Sequence, residues 1–383
     1  MKATVKKAVL LALSVVCLSV LPFSSCREAE EAISEAAANI GITEAQTQTE
    51  APTEDEVTQQ RRERLEEAVG GYMEQYDDFS GSILISVGGT SLCEYSRGFA
   101  DKSNATPNTS TTKIELGSVT KQFTAAAIMM LQEQEELNVE DTVDKYIPEY
   151  VNAEDVTIEN LLNMTSGIQD YLNGMIYLND IGDIDMTEPI AFNDVLEFAN
   201  MSALGFTPGT QFEYSNTNYM FLGEIISRLS GMTYEEFIEK NILKPLDMTN
   251  TTMNMNNADA IGYLIDGREG DKADTTYFGA AGEIASSVVD VNKWLNGLTE
   301  GRIISQNSLE QMLYNNGMGY GYGWFISQNG YYWHTGQSMA CYTMDLISID
   351  YDIKVIVLSN IDDENVETIC TDLYNTTVGT IYQ

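Results

Sequence analysis

The 383-residue chain contains a single histidine, His334. That scarcity removes most histidine-based metal sites and any serine triad that needs a second histidine. Basic residues are also few. Lys and Arg number 20 against 58 Asp and Glu, a formal net charge of −38. Such a chain repels phosphates, which argues against nucleic acid as a partner. The five cysteines show neither CxxC nor metal-ligand spacing. Cys17 and Cys26 lie near the N-terminus. Cys93, Cys341 and Cys370 sit in apolar patterns and read as buried small hydrophobes, with one disulfide among them left open. There is no internal repeat and no second membrane-spanning run after the N-terminus. What is present is a 43% hydrophobic composition, enough for one large or two ordinary domains with a sizeable core.

The first residues, "MKATVKKAVLLALSVVCLSVLPFSSC", read as an export signal. Lys2, Lys6 and Lys7 precede an apolar stretch that ends at Ser24, Ser25 and Cys26. This ending resembles a bacterial lipoprotein signal, although Phe23 stands where leucine is usual. The expectation is a signal over 1–25, a lipidated Cys26, and an extracytoplasmic protein held at the membrane. Residues 26–58 are acidic, rich in Ala, Thr and Gln, and free of aromatics. They cannot bury a core and read as a disordered tether. The folded domain is expected over 59–383.

Within it, an amphipathic helix, "RRERLEEAVGGYMEQY", comes first. Strand patterns "SGSILISVGG" and "TSLCEYSRGFAD" follow, joined at Gly88 and Gly89 as a hairpin. Helical patterns occupy 118–136, 157–164, 192–200, 217–231, 234–241 and 289–297. Strands return in "YGYGWFI", "GYYWHTG", "YTMDLISID" and "IKVIVLSN", before a terminal helix "ENVETICTDLYN". Short turns make that part of the sheet antiparallel. Strands at both ends with helices between predict an α/β fold of the α+β type. One antiparallel sheet is built from the N- and C-terminal segments and flanked by helices, with a mostly helical subdomain inserted. The boundary between the two is the natural place for a cleft.

Three segments carry chemistry. In "GSVTKQF", Ser118 and Lys121 are three residues apart at the mouth of an apolar helix and share a face. A buried lysine loses its proton more easily and can serve as a base, while a helix N-terminus favours an oxyanion. An isolated Ser-x-x-Lys is more often a helix cap with an exposed lysine. "YSN", residues 214–216, lies in a loop before a helix and alone reads as another cap. "HTG", residues 334–336, closes a strand; a lone strand histidine is usually structural, and Gly336 permits close approach of a substrate backbone.

In that order and those settings, the three segments resemble the SxxK, YxN and (K/H)TG motifs of the serine β-lactamase and penicillin-binding peptidase superfamily. The chain looks most like the class C β-lactamases and the D-alanyl-D-alanine carboxypeptidases and esterases related to them, from about residue 65 to 383. The resemblance implies a β-lactamase/transpeptidase-like fold and the following roles. Ser118 forms an acyl-enzyme, and Lys121 and Tyr214 move its proton. Asn216 binds the substrate amide and Lys121. His334, with Thr335 and Gly336, contributes to substrate binding, a protonated His334 meeting a substrate carboxylate. The backbone N–H groups of Ser118 and Gln337 form the oxyanion hole. No metal or organic cofactor is called for.

Departures bear on activity. Ala340 stands near a place where relatives have glycine and is expected to reshape the floor of the site. Met164 opens "MTSGI" where relatives read "HTSGL". No Arg or Lys occurs between Arg302 and Lys354, so a cation to grip a terminal carboxylate is missing from that stretch. This favours an esterase or aminopeptidase-like hydrolase over a D-Ala-D-Ala carboxypeptidase or β-lactamase. The expected substrates are peptidoglycan-type D-amino-acid peptides or small esters, handled by a monomer. The alternatives are a penicillin-binding-like binding or sensor module with little turnover, or a β-lactamase.

Overall fold

A computed structural model describes residues 54–382 of the chain. The expected signal, the lipidation site Cys26 and most of the tether lie outside the described residues. Helix α1 (Glu54–Met73) begins earlier than composition implied and takes in residues 54–58. Leu65, Val69 and Met73, four residues apart, form one fully buried face.

Strands β1 (Gly81–Val87) and β2 (Thr90–Arg97) form the expected hairpin. Gly88 and Gly89 both have positive φ, 59° and 74°, which a two-residue turn of matching twist requires. Near the C-terminus lie β3 (Phe325–Ile326), β4 (Tyr332–Gln337), β5 (Tyr342–Ser348) and β6 (Ile353–Ser359). The sheet order is β2-β1-β6-β5-β4-β3, antiparallel throughout. The N-terminal hairpin thus joins the C-terminal strands through β1 against β6. Every residue of β1, β5 and β6 is buried. Strands covered on both faces need not alternate with polar residues. One face packs Ile83, Ile85, Val355 and Val357 beneath α1 and the last helix, whose Ile369 and Leu373 join them. The other packs Leu84, Ile356 and Leu358 with the helical part of the molecule.

That part is built around α2 (Thr120–Glu133), α3 (Tyr171–Asp180), α4 (Asn216–Ser230) and α5 (Val288–Thr299). The chain closes with α6 (Asn365–Tyr382). Helix α2 is buried over nearly its whole length, its Ala- and Met-rich run packed in the core together with the buried polar Lys121, Gln122 and Thr124. Phe123 stacks on Trp294 of α5 at 4.1 Å. Cys93, Cys341 and Cys370 are all buried and free, so none is in a disulfide.

Candidate active site

Ser118 sits on a tight turn, Gly117–Val119, directly ahead of α2. The turn is pressed against β4. A Cβ on Gly117, whose φ is 52°, would stand 2.7 Å from the Gln337 carbonyl oxygen. A Cβ on Gly336 would stand 1.8 Å from the Leu116 carbonyl oxygen. Thr343 Oγ1 donates to that same carbonyl at 2.9 Å. Two glycines, one from each motif, therefore let the helix mouth and the strand touch backbone to backbone. This places Ser118 beside Gln337, where the resemblance puts the two oxyanion donors.

Lys121 is fully buried. Its Nζ donates to Ser118 Oγ at 2.9 Å, Asn216 Oδ1 at 2.9 Å and the Ala281 carbonyl at 2.8 Å. These three acceptors use all its hydrogens. Burial pulls its pKa down to about 7, with the nearby Asp170 carboxylate acting in the opposite direction. Tyr214 lines the same cleft, its ring 4.9 Å from Lys121 Nζ. Its hydroxyl is buried without a hydrogen-bond partner. Burial pushes its pKa up, the nearby Ser118 hydroxyl acts the other way, and the Asp170 charge adds to the upward shift.

Asn216 opens α4 and is held from both sides. Its Oδ1 accepts from Lys121, and its Nδ2 donates to Asp170 Oδ2 at 2.9 Å. Asp170 caps α3 by accepting from the Leu172 N–H at 2.9 Å. Burial raises the Asp170 pKa, while its hydrogen bonds and Lys121 lower it. The sequence reading missed Asp170. Its one local signal, an Asp ahead of a helix, describes a cap and says nothing of Asn216.

His334 requires a correction. It is 1% exposed, and both ring nitrogens are engaged inside the protein. The Thr335 carbonyl can only accept, so Nδ1–H donates to it at 2.5 Å. Nε2 then accepts from the Tyr320 hydroxyl at 2.9 Å. Burial and the Lys121 charge pull the imidazole pKa down to about 3, against a small upward effect of the Thr335 hydrogen bond. A ring that is neutral at pH 7 cannot supply the cation expected to meet a carboxylate. Tyr320, which fixes this tautomer, forms an isolated antiparallel bridge with Phe325 at the start of "YGYGWFI", a segment that reads as one strand from sequence.

Ala340 also departs from expectation. It packs against Gly262 and Gly270 and lines a neighbouring cavity rather than the Ser118 cleft. The close packing of the two glycines draws it away from the floor. Met164 is buried, and its sulfur accepts from the Ser215 N–H and Asn218 Nδ2, holding the start of α4.

The cleft has a volume of about 570 Å³ and brings together Ser118, Tyr214, Asn216, His334, Thr335 and Gln337. Leu172, Ile176, Phe278, Phe325 and Met339 form its apolar walls. No lysine or arginine lines it. Such an arrangement can activate a serine hydroxyl and stabilise an oxyanion, and it offers no fixed positive charge to a bound anion.

Comparisons with known proteins agree with this geometry. Residues 65–373 match the family model described as Beta-lactamase. Penicillin-binding protein 4* of Bacillus subtilis (strain 168) is 30% identical over 316 residues, covering 75% of this chain and 69% of that protein. The octameric penicillin-binding protein homologue of Pyrococcus abyssi superposes with a TM-score of 0.70 at 28% identity, over 83% of this chain and 77% of that one. The D-amino acid amidase of Ochrobactrum anthropi SV3 shares the fold, with a TM-score of 0.71 at 22% identity over 83% and 98% of the two chains.

Proposed function

The chain belongs to the beta-lactamase family, and on that premise we propose that it is an extracytoplasmic serine hydrolase working through an acyl-enzyme on Ser118. The observation that carries the reading is the 2.9 Å contact between Ser118 Oγ and a buried Lys121 whose pKa lies near 7. An amine poised there is neutral often enough to take the serine proton at physiological pH. Tyr214, pushed in the other direction, keeps its proton and serves as a donor.

The steps follow from these assignments. Lys121 Nζ accepts the Ser118 proton as Oγ bonds to the substrate carbonyl carbon. The oxyanion lies between the backbone N–H groups of Ser118 and Gln337. The leaving amine or alkoxide departs with a proton delivered from Lys121 or Tyr214. Water then attacks the ester carbon and gives up its proton to the same pair; the bond from that carbon to Oγ breaks, a proton returns to Ser118 Oγ, and the acid is released. Asn216 aligns the substrate amide and holds Lys121 in place.

The substrates we propose are D-amino-acid amides, peptides or esters. Carboxypeptidase action on D-Ala-D-Ala loses support because the neutral His334 and a lining without lysine or arginine leave a terminal carboxylate unmatched, Lys121 being buried behind Ser118 and already hydrogen-bonded. Incubation with a fluorescent penicillin or an activated ester, followed by peptide mapping by mass spectrometry, tests the mechanism. The adduct is expected on Ser118 and absent from Ser118→Ala. An adduct elsewhere, or full activity in that variant, sinks the assignment.

A further inference from the structure

The acyl-enzyme reading sets a direction inside the cleft. A leaving group must lie where its proton arrives, on the side of Tyr214, whose ring is 6.1 Å from that of His334 near the middle of β4. Ser118 lies further along, where Gly117 meets Gln337 at the strand's end. The acyl half of the substrate therefore runs past Gln337, away from Tyr214.

The wall there carries a carboxylate. Asp362 lines the same cleft as Ser118. Its Oδ1 accepts from Gln337 Nε2 at 2.8 Å, and its other oxygen has no hydrogen bond among the described residues. Two neighbouring carboxylates are otherwise engaged. Asp363 accepts from the Asn365 backbone and side chain, and Glu367 from the Tyr342 hydroxyl. Asp362 is the one set in the cleft, half-buried and held in place by Gln337. Asp362 shares this cleft with Ser118 and Tyr214.

Resting on the serine-hydrolase reading, we infer that Asp362 recognises a free ammonium on the acyl half of the substrate. The substrate class is then an aminoacyl ester or amide with an unblocked amino group. Acyl groups that are N-acylated lose this contact, and those bearing a carboxylate are repelled by it. Gln337 acts as the positioning residue for Asp362.

The test uses the full chain at pH 7 and two chromogenic amides, D-alanine p-nitroanilide and its N-acetyl derivative. The readout is the ratio of their kcat/KM values in wild type and in Asp362→Asn. Asparagine keeps the shape and can still accept from Gln337. Wild type is expected to favour the free amine, and the substitution to cut that ratio about tenfold, the scale of one charge-assisted hydrogen bond. An unchanged ratio in Asp362→Asn, or a wild type that prefers the N-acetyl amide, overturns the inference. Labelling of Ser118 by an activated ester in the same preparations separates the two layers. If Ser118 is acylated and the ratio does not move, only the ammonium reading fails. If Ser118 is not acylated, the hydrolase reading fails and this inference with it.

Discussion

Asp170 is two hydrogen bonds from Lys121 and three from the nucleophile Ser118, and those bonds give it a measurable consequence. It holds Asn216, which in turn holds Lys121. Its charge also favours the ammonium form of Lys121 against the effect of burial. With Lys121 near 7, kcat/KM is expected to rise with pH through neutrality as the amine becomes neutral. Asp170→Asn removes the negative charge and makes the neutral amine easier to reach, so the rising limb should move to lower pH. The plateau should fall about tenfold as Asn216 loses its anchor. A pH–rate profile of both forms checks this. A lowered plateau with the limb in its original place would mean that Asp170 is only a helix cap. At this scale, Ser118, Lys121, Tyr214, Asn216 and His334 were legible because each belongs to a short motif. Asp170, Tyr320 and Asp362 were not. Each acts on a motif residue 14 to 46 positions away, through contacts that only the tertiary fold creates. The protonation state of His334 was hidden for a related reason, since it depends on burial and on a lysine from another element.

Elements position the site by meeting at bare backbone. The turn before α2 reaches β4 only because Gly117 and Gly336 have no side chains there. Gly336→Ala would place a methyl 1.8 Å from the Leu116 carbonyl, a backbone atom that cannot swing aside. The strand and the helix mouth must then separate, and the two oxyanion donors with them. Loss of one such donor costs about 10² to 10³ in rate, and overpacking costs about 1–3 kcal/mol of stability. The expected outcome is a fall of at least 10² in acylation of Ser118 with a modest drop in Tm. Near-normal acylation in a folded Gly336→Ala protein would show that the contact is not what aligns the site. Most elements were readable. The glycine hairpin and the apolar runs of β1, β5 and β6 mark strands, and the last run is separated from the first by more than 250 residues yet pairs with it. Helix α3 was not foreseen. It begins directly after a loop-forming stretch, and much of its apolar surface faces the cleft and the satellite cluster around Met186 and Phe278.

The whole molecule combines a net charge of −38 with a cleft whose only nearby cation is Lys121, buried behind Ser118 and absent from the lining. Both favour cationic over anionic ligands, the protein by long-range attraction and Asp362 by contact. Size and likeness do not fix assembly. The Pyrococcus abyssi relative is octameric, so the similarity lends no support to the monomer expected from sequence. No helix among the described residues is long and apolar enough to cross a membrane. We propose that the protein is attached through Cys26. Ser24 and Ser25 precede it, and the acidic stretch that follows provides reach between a lipid surface and the folded unit. One acyl chain holds a protein only marginally, whereas two chains anchor it stably. A diacylated Cys26 should therefore carry the wild-type protein into the detergent-rich phase when expressed in a bacterial host and partitioned with a cloud-point detergent. Cys26→Ala should be exported and recovered in the aqueous phase with unchanged hydrolysis, because the site begins far downstream at Ser118. Wild type found wholly in the aqueous phase would refute the anchor and leave export standing. Cys26→Ala that still partitions with detergent would place the attachment elsewhere in the chain.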